Sequence, residues 1–570
     1  MSTTAFADDV QIFSRTPTGI RALHDTVLSF LDWSTMAANP AKCAFLPVTY
    51  SDSRQASSPL TLAINGTPLP QLSLTGSYAY LGVREGFDFT HTRFQLDTKL
   101  HSMRQQVTAL VKSPLAPWQI IKALKVYVFL QLDYAIRHVK APLSQLKTFS
   151  SFVNKSLRHL LRLPITATNE FFCSPPSFGG LGLLPMDELR DAPVVAHAFQ
   201  MLHSPDDTIQ HLAREQLRSV IHKRYIVDPS ALKAGGDLLL QRYLNGTLHE
   251  HPIATIKTHH ADISSIWSDL QAALRRYNLK FRNGFALRLP HMQKDVTPKN
   301  MAREMKMHMK LAHAETWSTL KDQGRTALLH GREGSKLLLS GCRLWDADYR
   351  FAVSARLNQI DTRSVLKRRR LRANASCRHC GSASPETLGH VLQRCPHNEA
   401  NIRARHDLVL QALASSIRNA QPDTRLLVNS TAADFAGPVL KPDLQLIDAT
   451  KKAVVICDLA VDMEDDQLHD GETVFEKTAK HKMTKYSPLS RHYTNQGYEI
   501  YSCALVYGSL ESVAPANYNI LTQVIGLSRP AAASLQYAIS ARVIKCDGCI
   551  EDFRRSSSRR PITYTSSNLY

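Results

Sequence analysis

Three residue sets in this chain have the types and spacing to do chemistry. In "CRHCGSASPETLGHVLQRC", Cys377, Cys380, His390 and Cys395 form a C-x2-C-x9-H-x4-C pattern of soft and borderline donors. That spacing suits a tetrahedral zinc ion, and four protein ligands imply a closed, structural site. A tight turn would present the first two cysteines, and one helix face the last two ligands. His397 or His406 could replace Cys395, although the spacing favours Cys395.

The second set lies in "GPVLKPDLQLIDATKKAVVICDLAVDME". Leu444 and Leu446 alternate with polar residues as in a strand, "ATKK" is a turn, and "AVVICDLAV" is a buried strand interrupted by Asp458. A lone carboxylate there is costly unless a cation or hydrogen bonds compensate it. Asp443 follows Pro442 and is expected across the hairpin from Asp458, where the pair could bind Mg²⁺ for phosphodiester hydrolysis. The basic helix "FEKTAKHKMTKYSPL" offers Lys477, Lys480, Lys482 and Lys485, one of which could stabilise developing phosphate charge. The structural alternative makes Asp443 a cap and Asp458 the partner of a lysine.

The third set is Asp8 and Asp9 in "AFADDVQIF", adjacent acids between strand-like residues, as at a hairpin tip. Such a pair serves two-metal nucleotidyl transfer only when a third carboxylate joins it. Alone, it is more often a simple turn or a helix start.

The elements that must hold these groups are legible in outline. After the acidic pair, Thr16 can cap a helix with Pro17 in its first turn and Leu23, Val27, Phe30 and Leu31 as an apolar stripe. Asn39-Pro40 marks a turn, and strands follow at "CAFLPVTY" and "YAYLGV". From Phe94 to Leu163 the pattern is helical, with Lys122, Lys125, Arg137, Lys140, Lys147, Lys155, Arg158 and Arg162 interleaved among apolar residues. "SPPSFGGLGLLP" breaks that pattern and opens a mostly helical segment to about residue 360, in which His249, His251, His259 and His260 lack a ligand spacing. Lys367, Arg368, Arg369, Arg370 and Arg372 then place five positive charges just ahead of the cysteines, a candidate phosphate contact. "CDGC" at Cys546 to Cys549 is a lone cysteine pair, and the basic, polar terminus after it reads as disordered.

A chain of 570 residues with 44% apolar residues exceeds a single core, so three or four domains are expected. Its 69 Lys+Arg against 49 Asp+Glu, a formal charge of +20, favour a polyanionic partner, most simply nucleic acid. Ten cysteines are too sparse for a disulfide scaffold, and neither a secretory signal nor a membrane-length apolar run is visible. An intracellular location is the expectation.

In this order the features resemble a known family. "AFADDVQIF" resembles the catalytic acidic box of reverse transcriptases, "NPAKC" the lysine-bearing segment after it and "YLGV" the primer-grip region. "CRHC…H…C" followed by "KPD…D" is similar to the carboxy-terminal half of non-LTR retrotransposon proteins with a restriction-like endonuclease, most nearly the ribosomal-DNA-inserting group. The resemblance implies target-primed reverse transcription, with target DNA and the element's RNA as partners and the nucleus as the location. It implies Mg²⁺ at Asp8 and Asp9, Lys42 as proton donor to pyrophosphate, zinc at Cys377, Cys380, His390 and Cys395, and endonuclease metal ligands at Asp443 and Asp458. The family often has lysine two residues after the second acid; here that residue is Ala460, leaving Lys482 and Lys485 as candidates.

The implied architecture is multidomain α+β: a partial reverse-transcriptase palm over 1–95, a thumb-like helical bundle over 96–165, a helical linker over 166–360, a basic segment and zinc knuckle over 361–410, an α/β restriction-like endonuclease over 411–545, and a disordered tail over 546–570. The family's further palm aspartate and its fingers lie upstream of the acidic box, so the expectation is a partial copy or a frame opened at an internal methionine. Metal-dependent DNA nicking is then the one chemistry expected to be complete. The alternative is a nucleic-acid-binding remnant without catalysis.

Overall fold

The computed structural model describes residues 2–51, 54–57, 60–81, 83–86, 90–133, 136, 141–257, 265–326, 343–381, 384–432, 434–464 and 472–555. Arg137, Lys140, His259, His260 and residues 556–570 lie outside the described residues. The chain divides into two compact units, one of residues 1–106 with 128–149 and one of residues 107–127 with 150–570. The helical stretch expected as a thumb is therefore shared between two bodies.

The first unit is built from hairpins. Strands β1 (Ser2–Phe6) and β2 (Asp9–Phe13) pair antiparallel, and Ala7 takes a positive φ of 52° in the turn between them. Helix α1 (Pro17–Trp33) starts where the Thr16 hydroxyl accepts the Gly19 amide, as the cap pattern requires. Its half-buried face carries Ile20, Leu23, Val27 and Leu31, while Phe30 stays 53% exposed, outside the expected stripe. The following hairpins pair residues 48–51 with 54–57, 63–64 with 67–68, and 78–80 with 83–85. Among the described residues these strands form separate two-stranded ribbons, where a palm would join them into one sheet. The strand expected from Cys43 begins only at Val48.

The second unit opens as a helical array whose helices include Asp191–Leu202, Asp207–Arg224, Ile266–Arg276 and Met301–Thr319. Phe171, Phe172, Phe199, Trp267 and Trp317 are among its most buried side chains. Arg356 ties this array to the carboxy-terminal sheet: it donates to the carbonyls of Gly179 and Leu510 and pairs with Glu511, all out of water.

That sheet has four strands in sequential order: β3 (Arg425–Val428), β4 (Leu444–Asp448), β5 (Ala453–Asp462) and β6 (Glu499–Gly508). The first two pairings are antiparallel and the last is parallel. A parallel pair needs a crossover, and helices α3 (Val474–Lys485) and α4 (Ser487–Asn495) lie in that connection. Alternation along β5 sorts its two faces. Val455, Cys457 and Leu459 pack against Val409, Leu413 and Ile417 of α2 (Glu399–Ala420) and Ile539 and Val543 of α5 (Arg529–Arg555). Val454 and Ile456 face Tyr486, Leu489 and Tyr493, and Ala460 faces Phe475. The fold is thus α+β, with helices on both faces of this sheet.

Two expected boundaries move. Helix α2 runs through the junction at 410/411, because its Val409–Ile417 face completes the sheet's core. The tail expected to be disordered from 546 is helical to Arg555, and Cys546 is fully buried within it. No helix among the described residues is long and apolar enough to cross a membrane.

Candidate functional site

Asp458 lies on the face of β5 that carries Val454, Ile456 and Ala460, and is only 2% exposed. The antiparallel register of β4 and β5 sets Leu444 opposite Cys457, which brings the preceding residue, Asp443, against Asp458. The Asp443 amide donates to Asp458 Oδ1 at 3.2 Å, and the Leu459 amide to Asp443 Oδ2 at 2.7 Å. Asp458 is therefore held by the amide of Asp443, and Asp443 by the amide of Leu459.

The crossover helix completes the group. Lys482 Nζ stands 2.7 Å from Asp458 Oδ2, and the Tyr486 hydroxyl donates to Asp458 Oδ1 at 3.1 Å and to the Lys441 carbonyl at 3.2 Å. Lys485 instead donates to the Tyr486 hydroxyl and lies over that ring. Phe475, Ala479, Lys482 and Tyr486 recur at helical spacing on the inward face, which distinguishes Lys482 from Lys485. His406 of α2 places Nε2 at 3.3 Å from Asp443 Oδ2. It serves this acid rather than the cysteine cluster, where the sequence had offered it as an alternative ligand.

The charges respond as this geometry requires. Burial and the neighbouring Asp443 raise the Asp458 carboxyl above its ordinary value, against the pull of Lys482. Burial also pushes Asp443 upward, but hydrogen bonds from His406 and the Asp458 pairing hold it below the usual range. The Asp443 hydrogen bond in turn raises His406. Two hard carboxylates sharing a buried site fit a magnesium ion, which binds through one or two carboxylates and keeps much of its water.

The zinc-type ligands converge. The donor atoms of Cys377, Cys380, His390 and Cys395 all lie within 4.8 Å of one another. Cys377 Sγ to Cys395 Sγ is 3.8 Å and Cys380 Sγ to His390 Nε2 is 3.5 Å. Tetrahedral zinc with ordinary bond lengths has S···S and S···N edges of about 3.8 and 3.6 Å. Burial pushes the Cys395 thiol up to about 12, with the neighbouring sulfurs adding to it, whereas burial of Cys377 is outweighed by the Cys380 and His379 amides, which hold that thiol below its ordinary value. His390 rides a single wide turn, His390–Arg394, and Cys395 follows in extended conformation instead of sharing its helix face. His397, the other alternative ligand, stacks on His379 at 4.3 Å.

The knuckle is braced from the far end of the chain. Glu386 is fully buried, receives Arg378 at 2.8 Å and Arg554 at 3.0 Å, and accepts the Arg363 amide. His379 Nε2 meets the Arg554 carbonyl at 2.7 Å. Nothing in the polar, basic composition around Arg554 signalled this; its spacing of three from Glu551, with which it pairs, was the available clue.

The remaining candidates are scattered or partly engaged. Arg368 pairs with Asp322, and Arg369 with Asp361 and Gln359, so two of the five clustered charges serve the fold. Lys367, Arg370 and Arg372 are exposed. Asp8 and Asp9 are both exposed at the β1–β2 turn. Lys42 ends the short helix Pro40–Lys42, where its carbonyl accepts the Tyr78 hydroxyl. Among the described residues the only group of three or more potential metal ligands is the cysteine-histidine cluster, so no third carboxylate joins the amino-terminal pair.

Comparison with known proteins places the chain. It is 22% identical over 411 residues to the Retrovirus-related Pol polyprotein from type-2 retrotransposable element R2DM of Drosophila melanogaster, covering 72% of this chain and 32% of that protein. A Pol polyprotein from type-1 retrotransposable element R2 of Popillia japonica is 22% identical over 552 residues, 95% of each chain. The chain is a relative of the retrotransposon Pol polyproteins. A further R2 Pol polyprotein, from Nasonia vitripennis, is 21% identical over 422 residues, 72% of this chain and 32% of that protein. The chain thus spans about a third of the length of the Drosophila and Nasonia relatives. No protein-family model matches it.

Proposed function

We propose that this chain carries the carboxy-terminal part of a retrotransposon reverse transcriptase/endonuclease, and that its sheet domain cleaves DNA with a divalent metal. The observation that carries this is the convergence of Asp443, Asp458 and Lys482 on one buried point at the start of a β-hairpin. A remnant under no chemical constraint has no reason to keep two coupled acids and a lysine together at a desolvation cost.

When bound, magnesium would activate a water and steady the leaving oxygen of a phosphodiester. Asp443 and Asp458 would hold it, and Asp443 keeps its carboxylate ionised through His406 and the Leu459 amide. Lys482 balances the charge of Asp458 and is placed to shift toward negative charge developing on phosphate. Tyr486 fixes the Asp458 carboxylate in orientation. The zinc knuckle and the exposed Lys367, Arg370 and Arg372 would contact DNA or RNA backbone. Asp8, Asp9 and Lys42 correspond by resemblance to a polymerase acidic box, and no polymerisation step is assigned to them.

Manganese titration followed by electron paramagnetic resonance tests the metal site. Wild-type full-length protein should bind Mn²⁺ at a site lost in Asp443→Asn and Asp458→Asn, with zinc content unchanged. Equal Mn²⁺ occupancy in wild type and both variants would overturn the assignment.

A further inference from the structure

A second basic centre lies in the helical array, where two of the interleaved basic residues, Arg158 and Arg162, meet Arg350. The helix Leu143–Leu160 ends in a reversed turn: the Leu163 amide returns to the Arg158 carbonyl at 2.8 Å and the Arg162 amide to the His159 carbonyl at 3.2 Å. This is the hydrogen-bond pattern that normally selects glycine at the left-handed position. Here that position, with φ 54°, is Arg162.

Beside this turn is an open cleft of about 540 Å³ lined by Val111, Arg158, His159, Leu160, Arg162, Leu163 and Arg350. Its lining holds three guanidinium groups, one imidazole and three apolar side chains, and no carboxylate. Two of the guanidiniums are fixed in advance. Arg158 donates Nε and Nη2 to the Ala167 carbonyl and Nη2 to Asn169 Oδ1. Arg350 donates Nε to the Leu160 carbonyl, with Asp346 as a long ion-pair partner at 3.6 Å.

The usual role of basic residues in a last helical turn is to satisfy that helix's own carbonyls. That role does not account for this set. The Leu160 carbonyl is taken by Arg350 from another helix, Asp346–Arg356, and Arg158 bonds to carbonyl and amide groups beyond the turn. Arg162 is exposed. Three planar donors around an apolar floor, two of them immobilised, fit a tetrahedral oxyanion with an apolar group attached.

We propose that this cleft binds a backbone phosphate of a single nucleic-acid strand, with the adjoining sugar or base against Leu160, Leu163 and Val111. The proposal rests on the reading of the chain as a nucleic-acid-acting protein, but on none of the endonuclease residues. Arg158 and Arg350 supply fixed donors, and Arg162 closes over the phosphate from the exposed side.

The test is fluorescence anisotropy of the full-length protein with labelled single-stranded RNA and single-stranded DNA of the same sequence, across a salt series. Arg162→Ala should weaken binding to both strands by about tenfold and flatten the slope of log affinity against log salt by about 0.7. Arg350→Lys, which keeps the charge and loses the fixed plane, should weaken binding by a smaller factor. Unchanged affinity and slope in Arg162→Ala overturns the proposal, as does a loss confined to RNA or to DNA. Arg162 is exposed, so thermal unfolding and zinc content should match wild type and report any folding defect. Mn²⁺ occupancy at Asp443 and Asp458 should be the same in Arg162→Ala as in wild type, which separates failure here from failure of the endonuclease reading.

Discussion

The chain carries two pairs of aspartates, and folding treats them in opposite ways. Asp8 and Asp9 sit at the turn of a two-stranded ribbon, exposed to water. Asp443 and Asp458 are separated by a whole hairpin in sequence, yet the β4–β5 register and the α3 crossover bury them with Lys482, Tyr486 and His406. Adjacency in sequence puts acids on opposite faces of a strand or into a solvated turn, whereas a register match aims them at one another. A buried pair must be compensated, and compensation is what builds a site.

The largest effect that would sharpen this contrast is removal of the zinc proposed for Cys377, Cys380, His390 and Cys395. Structural zinc contributes on the order of 10 kcal/mol to folding of its own module. A strong chelator, or Cys377→Ser, should therefore unfold the knuckle cooperatively, seen as a new low-temperature transition in calorimetry, while the β1–β2 hairpin is untouched. An unchanged thermogram would detach the knuckle from the stability of the carboxy-terminal region.

Next in size is the brace on that knuckle. Arg554→Ala leaves Glu386, fully buried, with Arg378 as its one charged partner, and breaking such a buried pair costs about 3–5 kcal/mol. Urea unfolding should show the loss at that transition. A change below about 0.5 kcal/mol would return Arg554 to the class of ordinary surface residues.

A third acidic arrangement separates compensation from chemistry. His313 lies between Glu170 and Glu188, and although burial opposes its charge, their hydrogen bonds raise it to about 9. Its folded value lies above the unfolded value of about 6.5, so its contribution is fully present below that pH and is lost as pH rises through about 9. The loss should be about 3 kcal/mol, absent in His313→Gln, and visible in the pH dependence of urea midpoints. A wild-type curve parallel to the variant's between those values would contradict it.

The smallest effect belongs to the exposed pair. The double variant Asp8→Asn with Asp9→Asn should change stability by less than about 0.5 kcal/mol, since neither group is buried. A larger change in the denaturation midpoint would mean that these acids are held as the distant pair is.

Much of the carboxy-terminal site was legible because it is local and chemically extreme. A strand as apolar as "AVVICDLAV" makes its lone acid conspicuous, and the C-x2-C-x9-H-x4-C spacing concentrates donors that rarely cluster. Contacts between distant segments were not legible. His406 comes from a helix that sequence alone assigned to the preceding domain, and Arg554 from a stretch that composition marks as disordered. The choice between Lys482 and Lys485 needed the direction of one helix face, which Phe475 and Tyr486 set once they are known to be buried. At the amino terminus the individual turns and the capped helix follow the pattern, but pairing between ribbons depends on register, and short, polar strands carry little register information.

The most direct measurement is relaxation of supercoiled plasmid by the purified full-length protein with Mg²⁺. Wild type and the Asp8→Asn, Asp9→Asn double variant should nick the plasmid, with a loss of about 10³-fold in Asp443→Ala and Asp458→Ala. No nicking by wild type, or equal nicking by all four proteins, would contradict it.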